Sequence, residues 1–292
     1  MTVEDEPAAL DYLERIGFYR LSGYWYPFRK MKEKPVGLSF REDEFIKGSR
    51  FEEAVELYVF DKNLRLLALD ALERIEMAVR VDVAYLLGKY DAFAHHDAQY
   101  FDGNFTTRPV HRYGGATGFD LWHTNYQKLL KRARNEPFVA HNMSKQNKLP
   151  IWVAIEIFDF GTLSRLYSGM RKVDRIKIAD KYELSEKDLR SLLRSLNFIR
   201  NVSAHHSRLW NIVISEKACK LKFDSHWGKL EVNHAFYYFC VMQYLLQKIC
   251  PKSNWHQRFK LHLKTFPNMS INTASISDFG LNLEIDSWEL WK

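Results

Sequence analysis

Apolar residues recur along the middle of the chain with the spacing of a helix. Between about residues 51 and 90 they lie at steps of three and four positions: Leu57, Phe60, Leu64, Leu67, Ala71, Ile75, Ala78 and Leu86. That period brings them to one face of an α-helix. Asp70 with Arg74 and Glu76 with Arg80 have the i,i+4 spacing that supports a helix on its other face. The pattern predicts one long amphipathic helix, or two joined end to end.

The same periodicity predicts further helices. They cover about residues 3–17, 121–135, 151–169, 171–182, 185–206 and 231–249. Ser185, followed three residues later by Asp188, is typical of a helix start, and Pro251 supplies a stop.

Strand signals are few. The best is the run YWYPF at residues 24–28, and its proline limits it to an edge strand or a loop. Residues 91–120 are weakly patterned, which indicates an excursion on the surface. We therefore predict an all-α helical bundle with accessory helices and at most minor β structure. Residues 1–250 form a single helical domain in this interpretation, and residues 251–292 form a C-terminal basic and aromatic appendage.

The composition fits a globular protein with an anionic partner. The chain is 46% hydrophobic and 15% aromatic, which argues against disorder. The net charge of +7 fits an anionic partner without identifying it. The three cysteines form neither a CxxC pair nor an even set, which favours a reducing compartment. The acidic N-terminus is not a signal peptide, and no run reaches the roughly 18 apolar residues of a membrane span. We predict a cytoplasmic protein that does not interact with membranes.

Basic residues concentrate in two stretches. Residues 121–155 contain six Lys/Arg against one acid, and residues 232–277 contain no acid while their basic residues alternate with aromatic ones. This composition suits phosphates and stacked bases, although a solvated helix face would produce it as well. Our candidate RNA-binding residues are Lys128, Lys131, Arg132, Arg208, Arg258 and Lys260.

An arginine interrupts the apolar stripe of the helix predicted at residues 185–206. Leu189, Leu193 and Leu196 share one face, and Arg200 occupies the next position on it. A guanidinium buried without a partner costs several kcal/mol, so Arg200 is either paired or open to a site. The candidates for an internal salt bridge are Glu73, Glu76 and Glu156.

His205 lies on a different, polar face of this helix, with Asn197, Asn201 and Arg208. An arginine offers charged donors to phosphate oxygens, and a histidine exchanges protons near neutral pH. Five residues correspond to about 140 degrees, so Arg200 and His205 cannot be adjacent on a straight helix. Either the helix ends or distorts near Ser203, or two copies bring their motifs together across a twofold axis.

Two other groupings carry less weight. Arg134 and His141 are separated by Pro137 and lack a supporting polar face. The run His95-His96-Asp97 has no further ligand group at helical spacing, so we interpret it as a polar loop and predict no metal site.

Five blocks of sequence follow one another in a fixed order. They are residues 12–28 (YLERIGFYRLSGYWYPF), 57–61 (LYVFD) with 64–65 (LR), 149–154 (LPIWVA), 160–164 (FGTLS), and 200–201 (RN) with 204–211 (AHHSRLWN). Together they resemble the Abi-like family, the abortive-infection proteins called AbiD and AbiF, and the similarity covers about residues 10–212.

The resemblance implies a HEPN-type fold whose Arg-x4-6-His motif marks metal-independent endoribonucleases that require no cofactor. Arg200 and His205 would be the motif pair, Asn201 the polar residue that follows the arginine, and His206 an alternative to His205. It further implies a core of about residues 51–250 with residues 1–50 packed on it, and a role in phage defence or as a toxin with an antitoxin. RNA would be the substrate, a small RNA is a candidate antitoxin, and the active form would be a homodimer. The alternative is a non-catalytic RNA-binding or partner-binding helical module.

Overall fold

The computed structural model describes residues 1–36 and 39–292, and within them the chain is mostly helical, with one two-stranded sheet. The helices in chain order are α1 (Glu6–Ile16), α2 (Phe18–Trp25), α3 (Phe51–Gly88), α4 (Gly103–Thr107), α5 (Gly118–Ala133), α6 (Pro137–Gln146), α7 (Ile151–Ala154), α8 (Phe160–Gly169), α9 (Lys172–Ala179), α10 (Glu186–Ala204), α11 (Ser225–Lys229), α12 (Ala235–Ile249) and α13 (Trp255–Leu263). The strands β1 (Arg29–Val36) and β2 (Ser39–Phe45) pair in antiparallel fashion. The prediction of an all-α protein with minor β structure is confirmed.

Helix α3 is the central element of the fold. Its 38 residues extend for about 57 Å at 1.5 Å per residue, without a break. It packs against α2, α10, α12 and α13. The predicted pairs Asp70–Arg74 and Glu76–Arg80 both form, each with an N to O distance of 2.5 Å. The sequence pattern left open one long helix or two joined end to end, and the structure has the single helix.

The N-terminal block differs from its prediction. The expected edge strand or loop at residues 24–28 is wrong, because α2 extends through Trp25 and a 3-10 turn covers Tyr26–Phe28. Leu21, Tyr24, Trp25 and Phe28 are all buried, and their steps of three, one and three are those of a helical face. A short apolar run does not distinguish a buried strand from a buried helix.

Two predicted helices are shorter than expected. Residues 151–169 divide into α7, a 3-10 turn at Ile155–Ile157 and α8. The Asp159 side chain accepts a hydrogen bond from the Thr162 backbone N–H at 2.6 Å, and so caps a new helix start. Residues 171–182 likewise form α9 followed by a 3-10 turn at Asp180–Tyr182.

The predicted surface excursion at residues 91–120 is partly buried. Ala94, His95 and Phe101 have at most 5% of their surface exposed. The Asp102 backbone N–H donates to the Gly169 carbonyl at 2.9 Å, which holds this segment against the end of α8. The segment therefore contributes to the core as well as to the surface.

Residues 251–292 share the core of α3 and α12. Trp255, Phe259 and Trp291 are completely buried, and the Trp255 indole N–H donates to the Leu67 carbonyl at 2.9 Å. The division of the chain at residue 250 remains a prediction. Among the helices that the structure describes, none has the length and apolar character needed to cross a membrane.

Candidate active site

Helix α10 begins and ends as its sequence indicates. The Ser185 hydroxyl accepts from the Asp188 backbone N–H at 3.1 Å, which confirms the predicted start. The helix ends at Ala204, and His206 adopts the left-handed conformation with φ of 57°. The Ser207 N–H then donates back to the Val202 carbonyl at 2.9 Å, a bond typical of a left-handed helix end. The end near Ser203 was one of the two arrangements that the sequence left open.

A buried carboxylate holds the chain that follows this helix end. Asp61 of α3 is fully buried and accepts from the Tyr24 hydroxyl at 2.6 Å and from Arg65 Nη1 at 2.5 Å. The backbone N–H groups of Leu209 and Trp210 also donate to it, at 3.1 and 2.8 Å. Burial raises the pKa of the Asp61 carboxyl, and Arg65 and the hydrogen bonds from Tyr24, Leu209 and Trp210 oppose that shift. This network joins α2, α3 and the segment after α10.

Among the residues that the structure describes, the arginine of the motif has no acidic partner. Arg200 is half-buried, and its Nη1 lies 3.4 Å from Oδ1 of Asn201. Within residues 1–36 and 39–292, no carboxylate oxygen lies within 4.0 Å of it. Of the predicted salt-bridge partners, Glu76 pairs with Arg80 at 2.5 Å, and Glu156 lies 4.0 Å from the same arginine. The internal salt bridge proposed for Arg200 is therefore not formed among the described residues.

His205, His206 and Arg208 line one groove of about 710 Å³ between the end of α10 and α2, which we call the histidine groove. Both histidines are exposed. Arg20 on the α2 wall donates from Nη1 to the His206 carbonyl at 2.8 Å. Arg208 is half-buried and donates to the Gly23 carbonyl, and burial lowers the pKa of its guanidinium. The groove thus presents two histidines beside two arginines.

Asn201 lies in a second groove, of about 600 Å³ between α8 and α10, which we call the α8–α10 groove. Arg200 lines neither groove. The structure therefore brings His205, His206 and Arg208 together, and it leaves Arg200 and Asn201 one helical turn away along α10.

The predicted RNA-binding residues have two kinds of surroundings. Lys128, Lys131 and Arg132 are exposed on α5. Arg258 instead pairs with Asp70 of α3, and Lys260 lies 2.7 Å from a carboxylate oxygen of Asp286. Arg258 thus links α13 to α3, Lys260 pairs within the C-terminal segment, and the charges of both are already partly neutralised.

The α8–α10 groove has a basic wall that was not predicted from the sequence. Lys187, Arg190 and Arg194 precede Asn197 and Asn201 on α10, at steps of three and four residues, and all five line this groove. The signal was present in the sequence as a second stripe on the helix.

The run at residues 95–97 is not a simple polar loop. His95 is completely buried, with its ring 5.4 Å from that of Tyr126 and 4.2 Å from that of His96. Burial lowers the pKa of His95 to about 2 and that of His96 to about 4, so both rings are neutral at pH 7. In the part of the chain that the structure describes, no group of three or more His, Cys, Asp or Glu is placed to hold a metal ion.

The protein is helical, and the chain after the polar end of α10 is fixed to α2 through the buried Asp61–Arg65 pair of α3. The model of the Abi-like protein family matches residues 11–211, and the chain belongs to this family. The match ends at Asn211, directly after the backbone that Asp61 holds. No curated protein and no solved structure matches the chain.

Proposed function

We propose that this protein is a metal-independent endoribonuclease of a phage-defence or toxin-antitoxin system, with a HEPN-type fold and a site shared between two copies. Membership of the Abi-like family supports the role in abortive infection. The substrate is RNA, and the reaction requires no cofactor, because RNA carries its own nucleophile in the 2′-hydroxyl.

The environment of Arg200 is the observation that carries the proposal. A half-buried guanidinium with no carboxylate within 4.0 Å, among the described residues, retains its charge for a ligand. It lies one helical turn before two exposed histidines at a helix end. A phosphate is the anion that this combination of forked donor and proton-transfer groups suits.

The chemistry follows from these residue types. A neutral imidazole, that of His205 or His206, takes the proton of the 2′-hydroxyl as its oxygen bonds to the adjacent phosphorus. The bond from phosphorus to the 5′-oxygen breaks, and that oxygen takes up a proton. Arg200 stabilises the charge that gathers on the phosphate oxygens, and Asn201 orients the histidine or the phosphate. The products are a 2′,3′-cyclic phosphate and a 5′-hydroxyl.

The test compares the purified protein with an Arg200→Ala, His205→Ala double variant on end-labelled single-stranded RNA in the presence of EDTA. We expect the natural chain to produce cyclic phosphate ends, and the double variant to lose cleavage by a factor of at least about 100. A 2′-deoxy substitution at the cleaved position removes the nucleophile, so it should protect that bond.

The matched control is an Arg134→Ala, His141→Ala double variant, which removes the same two residue types from exposed positions. It should cleave like the natural chain. Equal cleavage by the Arg200, His205 variant, or no cleavage by any of the three proteins, would exclude this site as a ribonuclease centre.

The second candidate function is a non-catalytic RNA-binding module, which the basic wall of the α8–α10 groove favours. Here Arg200 would have a structural role, and Arg200→Ala should lower the melting temperature. Because Arg200 has no ion pair among the described residues, our proposal expects only a small change. Thermal unfolding of this single variant separates the two functions.

A further inference from the structure

The α8–α10 groove is strongly and asymmetrically charged. Four cations line it, namely Arg165 of α8 and Lys187, Arg190 and Arg194 of α10. Glu216 is the single carboxylate among its described lining residues, and it pairs with Arg194 at 3.0 Å. The groove therefore retains an excess of positive charge after its internal pair is formed.

Three of these cations keep their charge unneutralised. Arg165, Lys187 and Arg190 are exposed, and none forms an ion pair with a residue that the structure describes. Exposed arginines elsewhere do find partners, as Arg15 does with Asp11 at 2.6 Å. An anion that enters this groove thus meets donors without first displacing a carboxylate.

The groove continues onto α5. A neighbouring depression of about 540 Å³ shares Arg165 and Ser168 with it and is also lined by Lys128 and Tyr113. The phenol of Tyr113 is 56% exposed. The two depressions together form a path from α5 across α8 to α10, with cations along it and an aromatic ring at the α5 end.

The path ends beside the proposed catalytic residues. From Lys187 to Asn201 it follows α10 for 14 residues, or about 21 Å at 1.5 Å per residue. Asn201 neighbours Arg200, and its carbonyl accepts from the His205 N–H at 2.9 Å. A ligand along this wall therefore reaches Asn201, in the last turn of α10.

From these observations we infer that the α8–α10 groove and its continuation to Tyr113 bind the phosphate backbone of a single-stranded RNA. The inference rests on the proposed function for its substrate class and adds the surface that holds the RNA. Cations that track a backbone, combined with an exposed aromatic ring on which a base can stack, are the usual elements of single-strand binding. Phosphate contacts of this kind position the strand and carry no sequence information.

The test measures binding separately from cleavage. The probe is a fluorescent 2′-O-methyl RNA of about 12 nucleotides, which lacks the nucleophile and lies within the usual range of single-strand site sizes. The variant is Arg165→Gln, Lys187→Gln, Arg190→Gln, and the control is Lys47→Gln, Lys62→Gln, Lys229→Gln. The control lysines are also exposed and without an ion pair among the described residues, so both triple variants lower the net charge by the same amount.

The salt dependence of binding gives the number of phosphate contacts. For single strands, each phosphate contact contributes about 0.7 to the magnitude of the slope of log K against log salt concentration. The groove variant removes three cations, so the magnitude of its slope should be smaller by about 2. Its affinity at physiological salt should fall at least about tenfold, whereas the control should stay within about twofold. If the triple variant folds poorly, Arg190→Gln alone should lower the slope by about 0.7.

Tyr113→Ala tests the stacking part. It should weaken binding by at least about fivefold without changing the salt slope, because the ring carries no charge. Tyr85→Ala is the control, since Tyr85 is 61% exposed on α3 and lies outside the groove. An unchanged affinity of Tyr113→Ala, or an equal loss of duplex RNA binding in the groove variant, would overturn the assignment to a single strand.

The outcomes distinguish this inference from the proposed function. If the groove variant has the same salt slope and affinity as its control, the groove is not the RNA-binding surface, whether or not the natural chain cleaves RNA. If the natural chain binds the probe through the groove but does not cleave unmodified RNA, the groove assignment stands and the ribonuclease proposal is excluded.

Discussion

At the scale of single residues, Asp61 holds the backbone that follows α10, although it lies outside both grooves. Two aspartate–arginine pairs with i,i+4 spacing lie on α3, and their sequences look equivalent. Asp61 and Arg65 are both buried, whereas Asp70 and Arg74 are each about 30% exposed. An exposed pair contributes little to stability, but removal of one partner from a buried pair leaves an uncompensated charge.

We therefore expect Asp61→Ala to lower the free energy of unfolding by about 3–5 kcal/mol, because it leaves Arg65 buried and unpaired. It should also impair the site, since Leu209 and Trp210 lose their acceptor. Urea unfolding measures the first effect, and RNA cleavage the second.

Asp70→Ala is the matched control on the same helix. Its cost should stay below about 2 kcal/mol, because both of its ion pairs, with Arg74 and with Arg258, are partly solvated. Similar losses in the two variants would show that the Asp61 network does not hold the segment after α10.

At the scale of elements, the end of α10 decides where the histidines lie. His206 takes the left-handed conformation that normally favours glycine, while His205, one residue earlier, has φ of −88°. A side chain in the left-handed region costs roughly 1–2 kcal/mol, so this sequence keeps a histidine at a position where a glycine would be more stable.

His206→Gly should accordingly raise the free energy of unfolding by about 1 kcal/mol. His205→Gly should give no such gain, because its backbone is not strained. Urea unfolding of the two variants side by side checks the difference. If His206→Gly is no more stable than His205→Gly, the helix does not end as described.

The same helix shows what periodicity can and cannot predict. Leu189, Leu193 and Leu196 are completely buried, and the helix start at Ser185 is confirmed. Whether Arg200 meets a carboxylate did not follow from the stripe, because that depends on which residues the neighbouring helices present.

At the scale of the whole molecule, the question is whether one copy holds a complete site. His205 lines the histidine groove, whereas Arg200 lines neither groove. We proposed that a second copy supplies the missing group across a twofold axis.

Mixing the inactive single variants Arg200→Ala and His205→Ala tests this arrangement. In a mixed dimer, one site receives the intact histidine of the first copy and the intact arginine of the second, so cleavage should return to a sizeable fraction of the natural rate. RNA cleavage measured before and after mixing reports the rescue. Two inactive variants that stay inactive together, in a preparation shown to contain mixed dimers, would contradict the shared site.

By itself, the sequence determined the helical class, the helical face over residues 51–90, the start of α10 and the family, because each depends on local periodicity or on ordered blocks. It did not determine that residues 24–28 are helical, or that the surroundings of His95 are aromatic. In both cases the burial of a short run is set by distant residues.

Only the tertiary structure decided which side chains meet. Tyr24, Asp61 and Trp210 are far apart in the chain, yet their atoms converge within hydrogen-bond distance. It also left Arg200 without a carboxylate among the described residues, and it aligned α8 with the basic stripe of α10. The physical reason is that a helix period fixes which residues share a face, while the packing of helices against one another fixes what that face meets.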